Sequence, residues 1–446
     1  MDRMTAAQGG KQANRLTRQE AAWTLTEAAN EPYFNLVQRY VFAPYFAGTL
    51  ASSQGEGASL WGFALGASGL AIAILAPVLG SIADSGSRLK PWLAVASLIT
   101  MLAAASLWFA APGVALWPVI VAVFVAGVAV ELMNQFSNAF LPGVAHPGRF
   151  GMLSGVAFGL AQLAGICVLL VMIVVGRNPL GVLFDVPNAV DRLAGPIAAM
   201  SVVLFMVPFL LVARESRRAR RMSVGGGLRD LRATLGEAWK DRNMRFFLIG
   251  RMVAADGMAI LFGFGAVLAA VSFGWTADSL AMFGIIITIF GAIGGFSAGW
   301  LDRILGARRL ILWGIALLGL GAASVLLTDD ARLFGIPTGV ALGVPLSTPQ
   351  EWGFMLSGAI IAVGAAFSLS GMRALMAALA PPEKVAAYFG LYAFVGKATA
   401  FVGPFLVGAI AAATGSVRPG IAIAALFLIA GFVAIHAVRS PNARVA

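Results

Sequence analysis

An apolar stretch near the start of the chain, residues 20–50, carries acidic and amide side chains at helical spacing. Glu27, Glu31, Asn35 and Gln38 recur every three or four residues, so a helix would align them along one stripe. A charge at the centre of a bilayer costs roughly 2.5–3.5 kcal/mol on insertion scales, so this stripe must face protein or water. Carboxylates and amides in that position can bind a polar solute or exchange protons with water.

A second polar face is predicted in the apolar run at residues 116–141. Glu131, Asn134, Gln135 and Asn138 again fall on one side of a helix. Charged groups at membrane depth are functional candidates because burying them in lipid is costly. The predicted substrate- and proton-binding set is completed by Asn30, Arg251, Asp256, Arg373 and Lys397.

The charges inside the apolar runs balance. The acids are Glu27, Glu31, Glu131 and Asp256, and the bases are Arg39, Arg251, Arg373 and Lys397. This balance suggests mutual pairing. A carboxylate that exchanges a basic partner for an apolar wall takes up a proton more readily, so a proton carrier is available here. We favour Glu27 or Glu131 as that carrier, and Arg373 or Lys397 as the partner of an anionic or zwitterionic substrate group.

For any single residue the alternative is a static ion pair that holds two helices in register. As a general explanation this is weaker, because buried ion pairs are poor sources of stability. For Asn134 and Asn138 the alternative is a hydrogen bond between helices. Glu31 precedes Pro32, which is expected to kink its helix and to free backbone carbonyls.

The composition indicates a polytopic membrane protein. The 446 residues are 59% hydrophobic and 11% charged, with a mean hydropathy of +0.87, whereas soluble domains are about 25% charged. The net charge of +11 does not indicate nucleic acid, because the basic residues occupy short loops between apolar runs. Two distant histidines and a single cysteine, Cys167, predict no metal site, and no cofactor is expected.

Twelve apolar runs are long enough to cross a bilayer. The predicted spans are 22–48, 58–83, 91–111, 116–141, 152–176, 194–213, 245–272, 278–301, 309–328, 352–379, 386–413 and 419–438. The loops on the side of the N-terminus hold most of the 31 lysines and arginines, so both termini are expected in the cytoplasm. The predicted divisions are an N-terminal tail (1–20), a six-helix half (21–213), a basic linker (214–244), a second six-helix half (245–438) and a tail (439–446).

A loop motif occurs once in each half. GSIADSGSRLK follows the second span and GWLDRILGARR follows the eighth, and in each an aspartate closes the span before two basic residues. The alternative is that Asp84 simply ends its span and keeps that end solvated. The predicted gating residues are Gly80, Asp84, Arg88, Lys90, Asp302, Arg308 and Arg309.

These motifs resemble those of a known transporter family. GSIADSGSRLK is similar to the loop between helices 2 and 3 of the major facilitator superfamily. WTLTEAANEPYF resembles the first helix of its UMF1/Atg22-like branch, with Trp23, Ala29, Asn30 and Tyr33 in register. Asp256 and Gly257 match a signature of helix 7, and the stretch from Phe389 to Lys397 matches one of helix 11.

The resemblance implies an all-α membrane protein with twelve helices in two pseudo-symmetric bundles, helices 1, 4, 7 and 10 lining a central cavity. It implies that the loop aspartates act as latches when the cytoplasmic side is closed. Fungal members of the branch are associated with amino-acid export from the vacuole. The expected function is therefore secondary active transport of a small polar solute, amino-acid-like or an organic anion, by alternating access.

This transport is expected to be coupled to protons, in a monomer located in the lipid bilayer of a bacterial inner membrane. The alternative is a non-transporting assembly factor or sensor with the same fold. The sequence has no nucleophile–base constellation and no nucleotide loop, so an enzyme is not expected.

Overall fold

The computed structural model describes residues 16–52, 54–86, 89–177, 186, 188–214, 233–275, 277–399, 402–414 and 418–439, and it is almost entirely helical. We number the main helical segments α1 to α12. The first is interrupted: α1 comprises Arg18–Thr24, a π-helix Tyr33–Tyr40, Phe42–Tyr45 and a π-helix Phe46–Leu50. The others are α2 (Gln54–Gly86), α3 (Leu89–Ser106), α4 (Leu116–Ala139), α5 (Phe150–Arg177), α6 (Ala189–Val212), α7 (Arg242–Phe273), α8 (Ala277–Leu305), α9 (Ala307–Leu326), α10 (Pro349–Leu379), α11 (Val385–Val395 and Val402–Thr414) and α12 (Arg418–His436).

Within the described residues, nine helices are long and apolar enough to cross a membrane, namely α3 to α10 and α12. The all-helical membrane fold is therefore confirmed. Each of the other predicted spans also overlaps a helical segment. The first, second and eleventh predicted spans are not among the nine long helices. The helices α1 and α11 are interrupted, and the apolar run found in α2 covers only Phe63–Leu75.

Local sequence signals explain where several helices begin. Thr17 and Glu20 form a capping box at the start of α1, since each side chain bonds the other residue's backbone N–H. Thr348 and Glu351 do the same at α10, where Pro349 occupies the first turn. Between α8 and α9 the chain reverses at Gly306, whose φ of +76° suits a residue without a Cβ.

The first predicted span, 22–48, is interrupted in the structure. Residues 25–30 form turns, in which the Glu27 carbonyl accepts from both Asn30 N–H (3.0 Å) and Glu31 N–H (3.3 Å). Pro32 contributes to this break because it has no N–H to continue an α-helical ladder. The interruption begins before Pro32 rather than at it. A second break, which the sequence did not predict, divides α11 after Val395.

The helices pack as two groups, α1–α6 and α7–α12, which meet mainly through α5 against α8 and α10 and through α2 against α11. Glycines allow the closest approach. A Cβ on Gly155 of α5 would overlap the backbone of Gly295 and Gly299 on α8. Small residues let helices approach closely in lipid, where van der Waals packing replaces the hydrophobic effect.

We call the end of the bundle where α1 and α5 begin the terminal face, and the opposite end the distal face. The distal face carries the segment between α9 and α10, which includes two short antiparallel strands, β1 (Arg332–Leu333) and β2 (Ile336–Pro337). Glu351 fixes its end by accepting hydrogen bonds from the N–H groups of Leu346 (2.9 Å) and Ser347 (3.1 Å).

Candidate functional site

Glu27 and Arg373 form an ion pair between the two groups of helices. Glu27 lies in the break of α1 and Arg373 on α10, and both are buried. Arg373 also donates to the hydroxyl of Ser154 on α5 (3.2 Å), which donates to the carbonyl of Ser370 (3.1 Å). One buried contact therefore joins α1, α5 and α10. The break in α1 matters because it places Glu27 at this junction.

A second ion pair crosses between the same two groups. Lys397 Nζ on α11 lies 2.8 Å from Glu131 Oε1 on α4. The pair lines a cavity of about 60 Å³, which is room for several water molecules. The cavity is lined by Glu131, Asn134, Gln135, Asn138, Arg251, Phe389, Tyr392, Ala393, Gly396 and Lys397. Six of the predicted binding residues are thus brought together between α4, α7 and α11.

Tyr392 on α11 holds the side chain of Arg251, which lies on α7. Its guanidinium lies 3.3 Å from the centroid of the Tyr392 ring, and its Nε donates to the Tyr392 carbonyl (2.9 Å). The cavity therefore holds two bases, Arg251 and Lys397, against one acid, Glu131. One positive charge in excess attracts an anionic group.

The amides of α4 add hydrogen-bonding capacity to this cavity. Asn138 Nδ2 donates to Asn134 Oδ1 (3.0 Å), while Asn138 Oδ1 is buried without a partner among the described residues. A buried carbonyl oxygen without a donor costs free energy. The geometry therefore leaves an acceptor available to a ligand or to water.

The other predicted residues of α1 lie on a separate side. Arg39 Nη1 bonds both Glu31 Oε1 (3.1 Å) and Asn35 Oδ1 (3.0 Å), and about half of the Arg39 side chain is exposed. Asn30 is buried, with neither amide atom bonded to any residue that the structure describes. The single stripe that regular helical spacing predicted is therefore divided between two locations.

Asp256 on α7 differs from the other three acids. It is 3% exposed, and beside it, where α11 is interrupted, lies the hydroxyl of Thr399, which is buried without a hydrogen-bond partner among the described residues. In the part of the chain described here, Glu27, Glu31 and Glu131 each have a basic partner, whereas no lysine, arginine or histidine lies within ion-pair distance of Asp256.

The second loop motif lies at the terminal face. The Asp302 side chain is pressed against Gly151 at the start of α5, where the helix dipole favours a negative charge. Arg308 donates to the His436 carbonyl, and Arg309 is exposed. From the first motif, Lys90 donates to the carbonyl of Ala213 (3.2 Å). The other predicted residues of that motif, Gly80, Asp84 and Arg88, lie outside the part of the chain whose side-chain surroundings the structure describes.

The contacts close the terminal face. Besides Asp302, Arg303 of α8 contacts Met152 of α5, and the glycine contacts of Gly155 follow one turn deeper. Toward the distal side, Tyr40 is 44% exposed and borders an apolar cavity of about 120 Å³ between α1 and the second group of helices.

Sequence reasoning missed Ser154, Tyr392 and Thr399. Each supports a predicted residue, namely Arg373, Arg251 and Asp256. A lone serine, tyrosine or threonine in an apolar run carries no spacing signal. Tyr392 lies in the FGLY stretch that carried the resemblance to helix 11, which is the one signal that could have identified it.

The fold matches solved transporters over nearly the whole chain. The outward conformation of the transporter FucP superposes with a TM-score of 0.69 at 14% identity, covering 95% of this chain and 98% of that chain. The human organic anion transporter MFSD10 gives 0.68 at 13% identity, with coverages of 94% and 99%. The fold is therefore that of the major facilitator superfamily. These structures are transporters rather than enzymes, as expected.

The chain belongs to the Atg22-like family. The family model described as "Vacuole effluxer Atg22 like" matches residues 149–446. Autophagy-related protein 22-1 of Neosartorya fischeri is 26% identical over 193 residues, which cover 42% of this chain and 30% of that protein. Autophagy-related protein 22-2 of Emericella nidulans is 30% identical over 213 residues, covering 46% and 34%. The aligned regions span about a third of these relatives, and the family prediction is confirmed.

Proposed function

We propose that this protein is a secondary transporter that moves a small anionic or zwitterionic solute by alternating access, coupled to protons. The observation that carries the proposal is the pair of ionic contacts, Glu27–Arg373 and Glu131–Lys397, which join opposite groups of helices. When the two groups tilt apart, both contacts must separate.

A charged solute can compensate for that separation. Breaking a buried ion pair by removing one partner costs about 3–5 kcal/mol, because an uncompensated charge is left behind. A carboxylate on the solute can bind Lys397 or Arg373, and an ammonium group can bind Glu131 or Glu27. A solute that carries these groups therefore lowers the barrier between the two conformations, whereas an uncharged solute does not.

The excess of positive charge in the Glu131–Lys397 cavity supports an anionic group as the main recognition element. The family description, a vacuole effluxer, supports export of the solute. The alternative of a non-transporting assembly factor is less well supported, because such a protein has no need of a charged cavity between its halves.

The rest of the proposal concerns topology. Residues 21–213 and 245–438 act as two moving halves, 214–244 as their linker, and the protein works as a monomer. The terminal face, which carries Arg18, Arg149, Arg303 and Arg439, lies in the cytoplasm. The relatives named above are fungal and give no support to the expected bacterial inner membrane.

The test is transport by the purified protein in proteoliposomes with an imposed pH gradient, using radiolabelled amino acids and organic anions as separate pools. We expect accumulation of at least one pool, abolished by a protonophore. Glu237 and Lys384 form an ion pair (2.7 Å) at the exposed terminal face. Replacing both residues with glutamine is the matched control, because it removes an ion pair that lies outside the cavity. Absence of movement of every pool would refute the proposal.

A further inference from the structure

Asp256 is a buried acid, and among the described residues no lysine, arginine or histidine forms an ion pair with it. It lies near the middle of α7, and its backbone carbonyl is approached closely by Gly403 of the second part of α11. An ionised carboxylate that is buried without a counter-charge costs several kcal/mol. In this closed arrangement, the carboxyl group is therefore neutral or is compensated by a bound ion.

The charged groups on the elements packed around α7 do not compensate Asp256. Lys397 of α11 is held by Glu131, Arg251 of α7 by Tyr392, and Arg373 of α10 by Glu27. Among the described residues of the packed helices, the remaining charged or titratable groups lie at helix ends or are tyrosines. They are Asp302, Arg303, Arg308, Arg309, Glu351, Tyr388, Arg418 and His436.

The neighbouring hydroxyl suits a carboxyl group that changes charge. Thr399 can accept a hydrogen bond from a protonated Asp256 and can donate one to the carboxylate, because a hydroxyl rotates to suit its partner. The residue lies in the break of α11, where residues 396–399 form turns. A broken helix can change its backbone conformation without disrupting a continuous hydrogen-bond ladder.

We infer that Asp256, rather than Glu27 or Glu131, is the residue that binds and releases the coupling proton, with Thr399 as its hydrogen-bond partner. The inference rests on the proposed function and names the residue that performs its coupling step. A proton passes from water on one side of the membrane to a carboxylate oxygen of Asp256. It returns to water on the other side after the halves have moved. Glu27 and Glu131 are each paired with a base, Arg373 and Lys397, and serve as charge partners rather than as proton carriers.

Carboxyl labelling tests this inference without requiring turnover. An apolar carbodiimide adds to protonated carboxyl groups in apolar surroundings, and peptide mass mapping locates the adduct. In the full-length protein we expect labelling at Asp256 at acidic pH that declines as the pH rises from about 5 to 9. Glu27 and Glu131 should stay unlabelled. Adducts on Glu27 or Glu131 with none on Asp256 would overturn the inference.

Two variants sharpen the result. Thr399→Val keeps the acid but removes the hydroxyl that stabilises its charged form, so we expect the midpoint of labelling to move to higher pH. An unchanged midpoint would remove Thr399 from the inference. In proteoliposomes, Asp256→Asn should lower pH-driven accumulation by at least tenfold. Accumulation that persists in this variant would overturn the role of Asp256. Transport that is absent from the unmodified protein would instead refute the proposed function, whatever the labelling shows.

Discussion

Lys397 and Glu131 form a 2.8 Å ion pair between α11 and α4, which belong to different groups of helices. Their side chains are 39% and 22% exposed, so the pair borders water rather than a dry interface. An ion pair with access to water can be replaced by the charged groups of a solute. This accessibility distinguishes it from Glu27–Arg373, in which both side chains are buried.

We expect Glu131→Gln and Lys397→Gln each to lower transport by at least tenfold, since each leaves one charge of the pair without its partner. The reversed pair, Glu131→Lys with Lys397→Glu, should recover a substantial part of the rate, because it restores attraction between the two groups of helices. The measurement is the initial rate of solute uptake into proteoliposomes. Equal loss in the single and reversed variants would show that pairing is not what matters.

Arg373→Ala should destabilise the protein by about 3–5 kcal/mol, because it leaves Glu27 buried without its counter-charge. Thermal unfolding in detergent, followed by circular dichroism, measures the effect as a lower Tm. The double variant with Glu27→Ala should recover most of the loss, as expected when two residues interact directly. Additive losses in this cycle would contradict a direct contact between them.

Gly155→Val should prevent closure at the terminal face, because its side chain would overlap the backbone of Gly295 and Gly299. A cysteine placed at Ser154 in a Cys167→Ser background should then react faster with a water-soluble maleimide. Gly263→Val is the matched control, since a Cβ there meets open space. Unchanged reactivity in Gly155→Val would show that the glycine contact between α5 and α8 does not control access to position 154.

Tyr392→Ala should raise the KM for an anionic solute by roughly 2- to 30-fold, since a cation–π contact contributes about 0.5–2 kcal/mol. The value of kcat should change less, because the substitution releases Arg251 from its position without removing its charge. Tyr392→Phe keeps the ring and the backbone carbonyl and is therefore expected to match the unmodified protein. A larger effect for Tyr392→Phe than for Tyr392→Ala would assign the role to the hydroxyl instead.

Hydropathy and residue spacing were sufficient to predict the helical membrane fold, and short motifs were sufficient to predict the family. Burial of charge in lipid is so costly that Glu27, Glu131, Arg373 and Lys397 could be selected from residue type and position alone. The motif at Asp302 could be placed at a helix end because the aspartate follows an apolar run.

The pairing between these residues could not be predicted. Glu27 and Arg373 are hundreds of residues apart, and a periodic pattern identifies a face of a helix but not the residue opposite it. The break in α1 depends on how the chain packs as well as on Pro32. No proline marks the start of the break in α11. The positions of Ser154 beside Arg373 and of Thr399 beside Asp256 depend on contacts between helices, which the sequence of one helix does not show.

The glycine contact between α5 and α8 also bears on the speed of the conformational cycle. Gly155, Gly295 and Gly299 offer each other neither charge nor side-chain hydrogen bonds, so no polar bond has to break when they part. In the proposed transport cycle the bonds that must break between the halves are therefore the ion pairs Glu27–Arg373 and Glu131–Lys397, so turnover should respond to the charge of the solute.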